Sequence, residues 1–191
     1  MKKLTILAAL IFVAASTFAQ TWSLDKAHSK LGFNITHLML AEVEGGFKSV
    51  DATLTSSKDD LSDAVITLTA EVSSITTEQE QRDNHLKSPD FFDAAKFPTL
   101  TFKSTSFKKD GDKKYKVTGD LTMHGITKPV TLDVTIKGPV TVPMGPDKKV
   151  TKIGFKATGI INRTQFGVGQ PGGAMVSEEV TLDANGEFNK N

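Results

Sequence analysis

The segment KPVTLDVTIKG, residues 128–138, alternates apolar and polar side chains along most of its length. Successive side chains of an extended chain point to opposite faces, so the apolar ones here would share a single face. Threonine, aspartate and lysine would occupy the other. The segment therefore predicts a β-strand with one side against a core and the other against water. Its predicted inward residues are Val130, Leu132, Val134 and Ile136.

The same alternation recurs along most of the chain and predicts about eight strands. Turn sequences rich in glycine, proline and aspartate separate several of them, at residues 109–112, 124–127 and 143–147. Strands joined by turns predict an antiparallel meander, and a sheet with one apolar face closes into a barrel or folds into a sandwich. The predicted strands lie near residues 31–35, 50–54, 66–72, 100–102, 115–123, 130–136, 153–161 and 180–188.

Residues 77–96 interrupt this pattern between the third and fourth predicted strands. The sequence Thr-Glu-Gln-Glu at 77–80 fits the capping box, which predicts a short helix over 78–87. Ser88 and Pro89 resemble an N-cap and a first helical residue, so a second helical turn is expected after them. The insert would cover one barrel end and turn three aromatic side chains inward: Phe91, Phe92 and Phe97.

Composition excludes several classes of protein. The 191 residues carry 23 basic and 22 acidic side chains, a formal net charge of +1. This balance argues against a nucleic-acid binder and against a polybasic membrane-surface protein. The absence of cysteine excludes disulfides, cysteine-ligated zinc, thiol catalysis and iron–sulfur clusters.

Residues 1–19 have the organisation of a secretory signal peptide. Two lysines precede an apolar run, and small residues at Thr17 and Ala19 fit cleavage after Ala19. The apolar run is shorter than the roughly 20 residues of a membrane-spanning helix. We therefore expect a mature domain of residues 20–191 without an integral membrane segment, in the periplasm or, alternatively, secreted.

Three features that suggest chemistry lack the sequence context that the chemistry requires. Residues 167–172, GVGQPG, match the dinucleotide fingerprint, but a strand rather than a crossover helix is predicted to follow, which favours a flexible loop. The four histidines lack the spacing of ready-made zinc sites. His28 and Ser29 lack the nucleophile elbow of a serine hydrolase. We predict no metal and no catalytic residue.

Arginine is scarce in this chain: only Arg82 and Arg163 occur among the 23 basic residues. A guanidinium makes a bidentate fork that lysine cannot replace. For Arg82 we favour an ion pair that ties the helical insert to the barrel, with Asp83, Asp90 or Asp93 as the partner. For Arg163, beside the glycine-rich loop, an ion pair and a contact to a ligand headgroup both remain open.

The predicted mature chain keeps ten of the 12 phenylalanines. Phenylalanine supplies apolar bulk without a polar group. An eight-stranded barrel is just wide enough to be filled by side chains or to hold one slender ligand. Periodicity alone does not decide between an interior filled by side chains and one that holds a ligand.

Several short motifs, taken in their order and spacing, carry a family resemblance. They are DKAHS (25–29), Phe33, His37, Gly46-Phe47, ITT (75–77), RDNHL (82–86), DFFD (90–93), FP (97–98), GDLTMHGITKPV (119–130), Arg163 and Phe166-Gly167. Over essentially the whole predicted mature length, the chain resembles the YceI-like polyisoprenoid-binding family.

The resemblance implies an exported, mainly β protein: a single antiparallel eight-stranded lipocalin-like barrel with a short helical insert between strands three and four. It implies a tunnel that binds a polyisoprenoid or quinone-like lipid, without catalysis, cofactor or metal. The partner is then the lipid and not nucleic acid, with a homodimer left open. The residues predicted to bind the ligand are His28, Phe33, His37, Phe47, Arg82, Phe91, Phe92, Phe102, His124, Phe155, Arg163 and Phe166.

Two other functions stay open at this stage. An enzyme acting on an isoprenoid lipid would use His28, His124 and nearby carboxylates. A stress-related structural barrel would have a filled core and a protein partner.

Overall fold

The computed structural model describes residues 19–173 and 175–191. The predicted signal peptide, apart from its last residue, lies outside the described residues. The described part of the chain contains eleven strands and one α-helix. The elements are β1 (Gln20–Leu24), β2 (Lys30–His37), β3 (Ala41–Phe47), β4 (Val50–Ser56), β5 (Val65–Glu71), β6 (Ile75–Thr76), α1 (Glu80–Lys87), β7 (Thr99–Lys109), β8 (Lys114–Met123), β9 (Ile126–Pro143), β10 (Lys149–Asn162) and β11 (Val176–Lys190).

Eight antiparallel strands form a closed ring in the order β1-β4-β5-β7-β8-β9-β10-β11, and pairing of β1 with β11 closes it. β11 is long enough to pair with β2 as well. β1 and β2 therefore act as two parts of one bent strand, as do β3 and β4 in the hairpin beside it. The barrel prediction is confirmed, because a continuous ring leaves no second sheet to form a sandwich.

The segment 128–138 lies in β9, as its alternation predicts. Val134 stands between Tyr115 on β8 and Ala157 on β10. Val134 and Ile136 are buried, whereas Asp133 and Lys137, which flank this pair, are exposed. Alternation in the sequence thus becomes the inside and outside of the barrel wall.

Because consecutive strands of the barrel run antiparallel, successive connections between them lie at opposite ends of the barrel. One end carries α1, the β2–β3 hairpin and the loop that joins β10 to β11; we call it the helical end. The other end is closed by the loop between β4 and β5, whose Leu61 is buried. There the Tyr115 hydroxyl donates to the carbonyl of Asp60 at 2.8 Å. Densely packed core side chains fill this closed end, among them Trp22, Leu54, Phe107 and Ile153.

The helical insert lies between the third and fourth strands of the ring plan, as predicted, but it begins differently. α1 starts at Glu80 because Glu78 has a left-handed φ of 60° that an α-helix cannot include. The predicted capping box is wrong: Gln79 is the N-cap, and its side-chain oxygen accepts from the Arg82 amide at 2.5 Å. The segment after Ser88 is a hydrogen-bonded turn rather than a second helix, with the amides of Phe91 and Asp93 donating to the Ser88 carbonyl.

The glycine-rich segment 167–172 forms a loop, as predicted, and β11 follows it. A short 3-10 helix at Arg163–Phe166 precedes it and ends on Gly167, which has a left-handed φ of 70°. A dinucleotide fold needs a crossover helix at this position, so the nucleotide interpretation is excluded. None of the helices in the described ranges is long and apolar enough to cross a membrane.

Candidate ligand cavity

A cavity of about 430 Å³ lies inside the barrel, between the inward faces of the strands and the insert that carries α1. This volume is within the range of small-molecule sites. Most of its lining is aliphatic or aromatic. All four alternating apolar residues of β9 contribute to it: Val130, Leu132, Val134 and Ile136.

A group of phenylalanines forms one wall of the cavity. The rings of Phe33 and Phe47 lie 6.3 Å apart, and Phe92 from the insert meets Phe47 edge-on at 6.1 Å. Gly45 pairs directly with Phe33, and a Cβ at Gly45 would overlap the Phe33 ring. The glycine therefore lets the ring lie flat against the neighbouring strand and leaves the barrel centre open.

Small residues keep the adjoining part of the wall, on β10 and β11, open as well. Ala157 of β10 faces Ala184 of β11 in the ladder, and both side chains line the cavity. Further toward the closed end, the rings of Phe155 and Phe188 pack at a tilt of 45° with centres 5.2 Å apart and form part of the cavity floor. The sequence therefore alternates bulky and small inward residues, which produces a hollow rather than a filled barrel.

Among the residues that the structure describes, polar side chains line the cavity only at the helical end. β2 ends at His37 there, and α1 presents Arg82 and His85 one turn apart, on one face. These three residues both line the cavity and are exposed, so the cavity opens to solvent at this end. Thr77 and Arg163 complete the polar lining.

Arg82 is held by Thr77 rather than by a carboxylate. Its Nε donates to the Thr77 hydroxyl at 2.6 Å, and its Nη2 donates to the Thr77 carbonyl at 2.8 Å. The predicted ion pair with Asp83, Asp90 or Asp93 is wrong for the described residues. Asp83 instead accepts the amide and hydroxyl of Thr77, and Asp90 pairs with His85 at 3.2 Å.

Asp83 is the buried anchor of this network. Burial disfavours its charged form, but the two hydrogen bonds from Thr77 outweigh burial and hold the pKa of Asp83 below its ordinary value. A charged Asp83 fixes Thr77, and Thr77 in turn fixes Arg82. The network therefore sets the position of a cationic side chain at the cavity opening.

Arg163 is 6% exposed, and its guanidinium donates hydrogen bonds to backbone carbonyls. Nε donates to the carbonyl of Ser177 at 2.9 Å, Nη1 to Val168 at 2.7 Å, and Nη2 to Val176 at 3.0 Å. Burial lowers its pKa, and the charge of Glu178 opposes that effect. The ion pair expected as one role of Arg163 does not form among the described residues. The guanidinium instead ties the glycine-rich loop to the start of β11 through backbone carbonyls, which favours a bracing role over contact with a ligand headgroup.

Nine of the twelve residues predicted to bind the ligand line the cavity, which brings them together as the resemblance implies. Their contact with a ligand stays a prediction. The nine are Phe33, His37, Phe47, Arg82, Phe91, Phe92, Phe102, Phe155 and Arg163.

The other three lie outside the cavity lining. His28 is exposed in the turn between β1 and β2, with its Nδ1 3.1 Å from the Asp25 carboxylate. His124 packs edge-on against Phe97, with ring centres 4.6 Å apart, in the turn between β8 and β9. Phe166 is buried in the core. His28 and His124, which the enzyme alternative would use, therefore do not line the cavity.

Asp25, His28 and Glu187 bring their donor atoms within 4.8 Å of one another, a spacing that could suit a metal. The ammonium of Lys152 lies among them, 2.8 Å from Asp25 Oδ2 and 2.8 Å from Glu187 Oε2. The hydrogen bond from Lys152 is the main cause that holds the pKa of Asp25 well below its usual range. This cluster is a salt bridge that fastens β10 to β11 and to the end of β1.

Several lining residues escape the sequence analysis. His85 shares a face of α1 with Arg82, and the i, i+3 spacing could have indicated it. Ala157 lies on the inward face of a predicted strand, but an alanine in a strand carries no sequence signal that indicates a ligand contact. The sequence around Thr77 predicts a helix cap, whereas the structure places Thr77 beside the cavity, where it binds Arg82.

Comparison with known proteins places the chain in a family. A profile of the YceI-like domain matches residues 22–188. A UPF0312 protein of Staphylococcus aureus is 40% identical over 172 residues, covering 87% of this chain and 96% of that protein. Protein YceI of Escherichia coli O157:H7 is 38% identical over 177 residues, covering 92% of this chain and 90% of its own.

Solved structures show the same fold. Burkholderia cenocepacia BcnA superposes with a TM-score of 0.76 at 26% identity, over 86% of this chain and 98% of BcnA. The Campylobacter jejuni YCEI protein gives 0.70 at 36% identity, over 88% and 96%. A polyisoprenoid-binding domain from Saccharophagus degradans gives 0.63 at 15% identity, over 89% and 98%, a likeness of fold alone. With the profile match and these relatives, the chain belongs to the YceI-like family.

Proposed function

We propose that the protein binds a single long-chain lipid, of the polyisoprenoid or quinone class, inside its barrel. One observation carries this proposal: the cavity is apolar along its length and polar only at its open, helical end. An amphiphile has the same distribution, with a hydrocarbon tail and one polar head. The name of the Saccharophagus degradans domain motivates the choice of isoprenoid over other lipids.

Burial of the hydrocarbon tail supplies the affinity. Each buried methylene contributes about 0.8 kcal/mol, so about 15 buried carbons give roughly 12 kcal/mol before costs. Ordering a flexible chain and immobilising it remove a large part of that gain. Specificity then comes from the length and width of the cavity, and related chains of similar size bind with similar affinity.

The headgroup is proposed to lie against α1. Arg82 and His85 are exposed at the opening and lie one helical turn apart. Arg82 is positioned by Thr77 without an opposing carboxylate among the described residues, so its charge is available to an anionic or carbonyl oxygen. Arg163 is already bonded to three carbonyls and supports the site from behind.

Export to the periplasm is part of the proposal and rests on residues 1–19. Their cationic start, apolar run and small residues at the predicted cleavage site support it. N-terminal sequencing of the protein recovered from a periplasmic fraction would test this, with cleavage after Ala19 as the expected result.

The binding proposal is tested by a variant that fills the cavity. Ala157→Phe places an aromatic ring opposite Ala184, and we expect the affinity for a prenyl lipid to fall by about tenfold or more. Affinity is measured by displacement of an apolar fluorescent probe. Ile160→Phe is the matched control, since Ile160 lies on the same strand, is 65% exposed and does not line the cavity.

Solvent extraction of the purified protein, followed by mass spectrometry, identifies the natural occupant. A prenyl lipid recovered from the wild type but not from Ala157→Phe supports the proposal. Recovery of no prenyl or acyl lipid, together with equal probe binding by both proteins, overturns it.

A further inference from the structure

Four large apolar side chains are exposed together at the helical end. Leu38, Met39 and Leu40 form the tip of the β2–β3 hairpin and are 43%, 81% and 86% exposed. Met175 is 64% exposed, and its carbonyl accepts the Leu38 amide at 2.9 Å. We call these four residues the apolar tip.

The tip has an unfavourable sequence for its backbone conformation. Leu38 and Met39 have φ angles of 52° and 58°, and the Leu40 amide donates to the His37 carbonyl at 3.0 Å. Residues 37–40 form a β-turn whose two central residues are both left-handed, a turn type in which Asn-Gly is preferred and bulky residues are disfavoured. The β8–β9 hairpin follows that preference more closely, with His124 and Gly125 in the same conformation.

Exposure and backbone strain thus coincide in the same two residues, and neither stabilises the fold. Strain of this kind persists at sites with a function. The position of the tip indicates what this function is. Leu38 follows His37, Met175 precedes Val176, and these two neighbours pair with each other and line the cavity. The tip therefore stands beside the cavity opening.

We propose that the apolar tip inserts into the surface of a lipid bilayer and holds the cavity opening against it. The lipid ligand then passes between bilayer and barrel without crossing water. This inference rests on the proposed function, because a lipid of that class resides in a bilayer. Four side chains are too few for a standard protein interface of about 800 Å² per partner, but they suit shallow, reversible insertion into a membrane.

Charge beside the tip indicates the kind of bilayer. Glu42 and Glu44 follow the tip on β3, and both are exposed. Anionic lipid would repel them, so insertion is driven by apolar burial rather than by charge. We expect binding to neutral phosphatidylcholine vesicles that is insensitive to salt.

The test replaces the tip with the sequence that its turn prefers. The double variant Leu38→Asn/Met39→Gly should be at least as stable as the wild type in thermal unfolding. Its sedimentation with phosphatidylcholine vesicles should fall by about tenfold or more. The control Val140→Thr/Met144→Asn removes exposed apolar side chains at the closed end and should sediment like the wild type.

Transfer kinetics separate this inference from the binding proposal. For a fluorescent prenyl lipid loaded into the wild type, the transfer rate should rise with vesicle concentration, and in the double variant it should not. Equal sedimentation of the wild type and double variant overturns the tip inference even if the probe binds the cavity. Vesicle sedimentation by the wild type without cavity binding overturns the proposed function instead. A wild-type dimer that dissociates in the double variant, without vesicle binding, assigns the tip to a second copy and overturns the membrane role.

Discussion

The guanidinium of Arg163 donates a 2.7 Å hydrogen bond to the backbone carbonyl of Val168, five residues later in the chain. Together with its bonds to Ser177 and Val176, this contact holds both ends of the loop between β10 and β11. Val168 is buried and lines the cavity. A scarce residue type thus maintains the cavity wall without having to touch a ligand.

Replacement of Arg163 by lysine should destabilise the protein. Lysine satisfies at most part of a site built for a planar fork, and hydrogen bonds to charged groups contribute about 1.5–3 kcal/mol each. We expect the free energy of unfolding, measured by urea denaturation, to fall by about 2–4 kcal/mol.

Arg82→Lys provides the comparison, because Arg82 is exposed and should lose ligand affinity with a smaller change in stability. The opposite pattern, in which Arg163→Lys loses ligand affinity at unchanged stability, would show that Arg163 contacts the headgroup.

The Asp25–Lys152 salt bridge should make stability depend on acid pH. The pKa of Asp25 is depressed in the folded state, mainly by the Lys152 hydrogen bond, so its contribution is complete above the unfolded pKa of about 4. That contribution is lost as the pH falls through the folded pKa. Asp25→Asn should therefore be less stable than the wild type at pH 7, and the difference should shrink below about pH 4.

Urea denaturation of both proteins at a series of pH values measures this difference. Asp51→Asn is a suitable control, since the Lys26–Asp51 pair is exposed on both sides and contributes little. A stability difference for Asp25→Asn that stays constant from pH 7 to pH 3 would contradict the assignment.

Substitution of His124 tests whether the cavity contains an enzyme site. His124→Ala removes the edge contact with Phe97 and puts alanine at a φ of 52°, so it should lower stability by about 1–2 kcal/mol. Ligand affinity should not change, because His124 does not line the cavity.

His124→Asn separates the two effects, since asparagine tolerates the left-handed conformation and should recover part of the lost stability. Turnover of a prenyl lipid by the wild type that disappears in His124→Ala would revive the enzyme alternative.

Most of the fold could be predicted from the sequence because each strand of a barrel wall has one face toward the core and one toward water. Such a strand alternates apolar and polar residues. β9 shows this plainly: its four apolar residues at every second position all face the interior. Periodicity alone does not distinguish a barrel from a sandwich, since the sheets of both bury one face. That choice depends on β11, which pairs with β1 as well as with β10 and β2.

The site was less accessible to prediction, for physical reasons. The resemblance predicts that Phe33 lines the cavity. The space for its ring depends on Gly45, which has no side chain to occupy that space. The sequence predicts that Arg82 pairs with a carboxylate of the same insert, whereas Asp83 acts on Arg82 through Thr77. Local sequence shows which charges are near one another, but not which of them is already engaged by a third group.

Closure of the ring has a consequence for folding. β1 and β11 meet through contacts between residues such as Ser23 and Asn191, which are 168 positions apart in the chain. Such long-range pairing gives a high contact order and slow folding. A chain emerging vectorially from N to C terminus remains an open sheet, with its apolar face and both edges uncovered, until β11 arrives. The apolar interior is therefore enclosed only when the last strand docks.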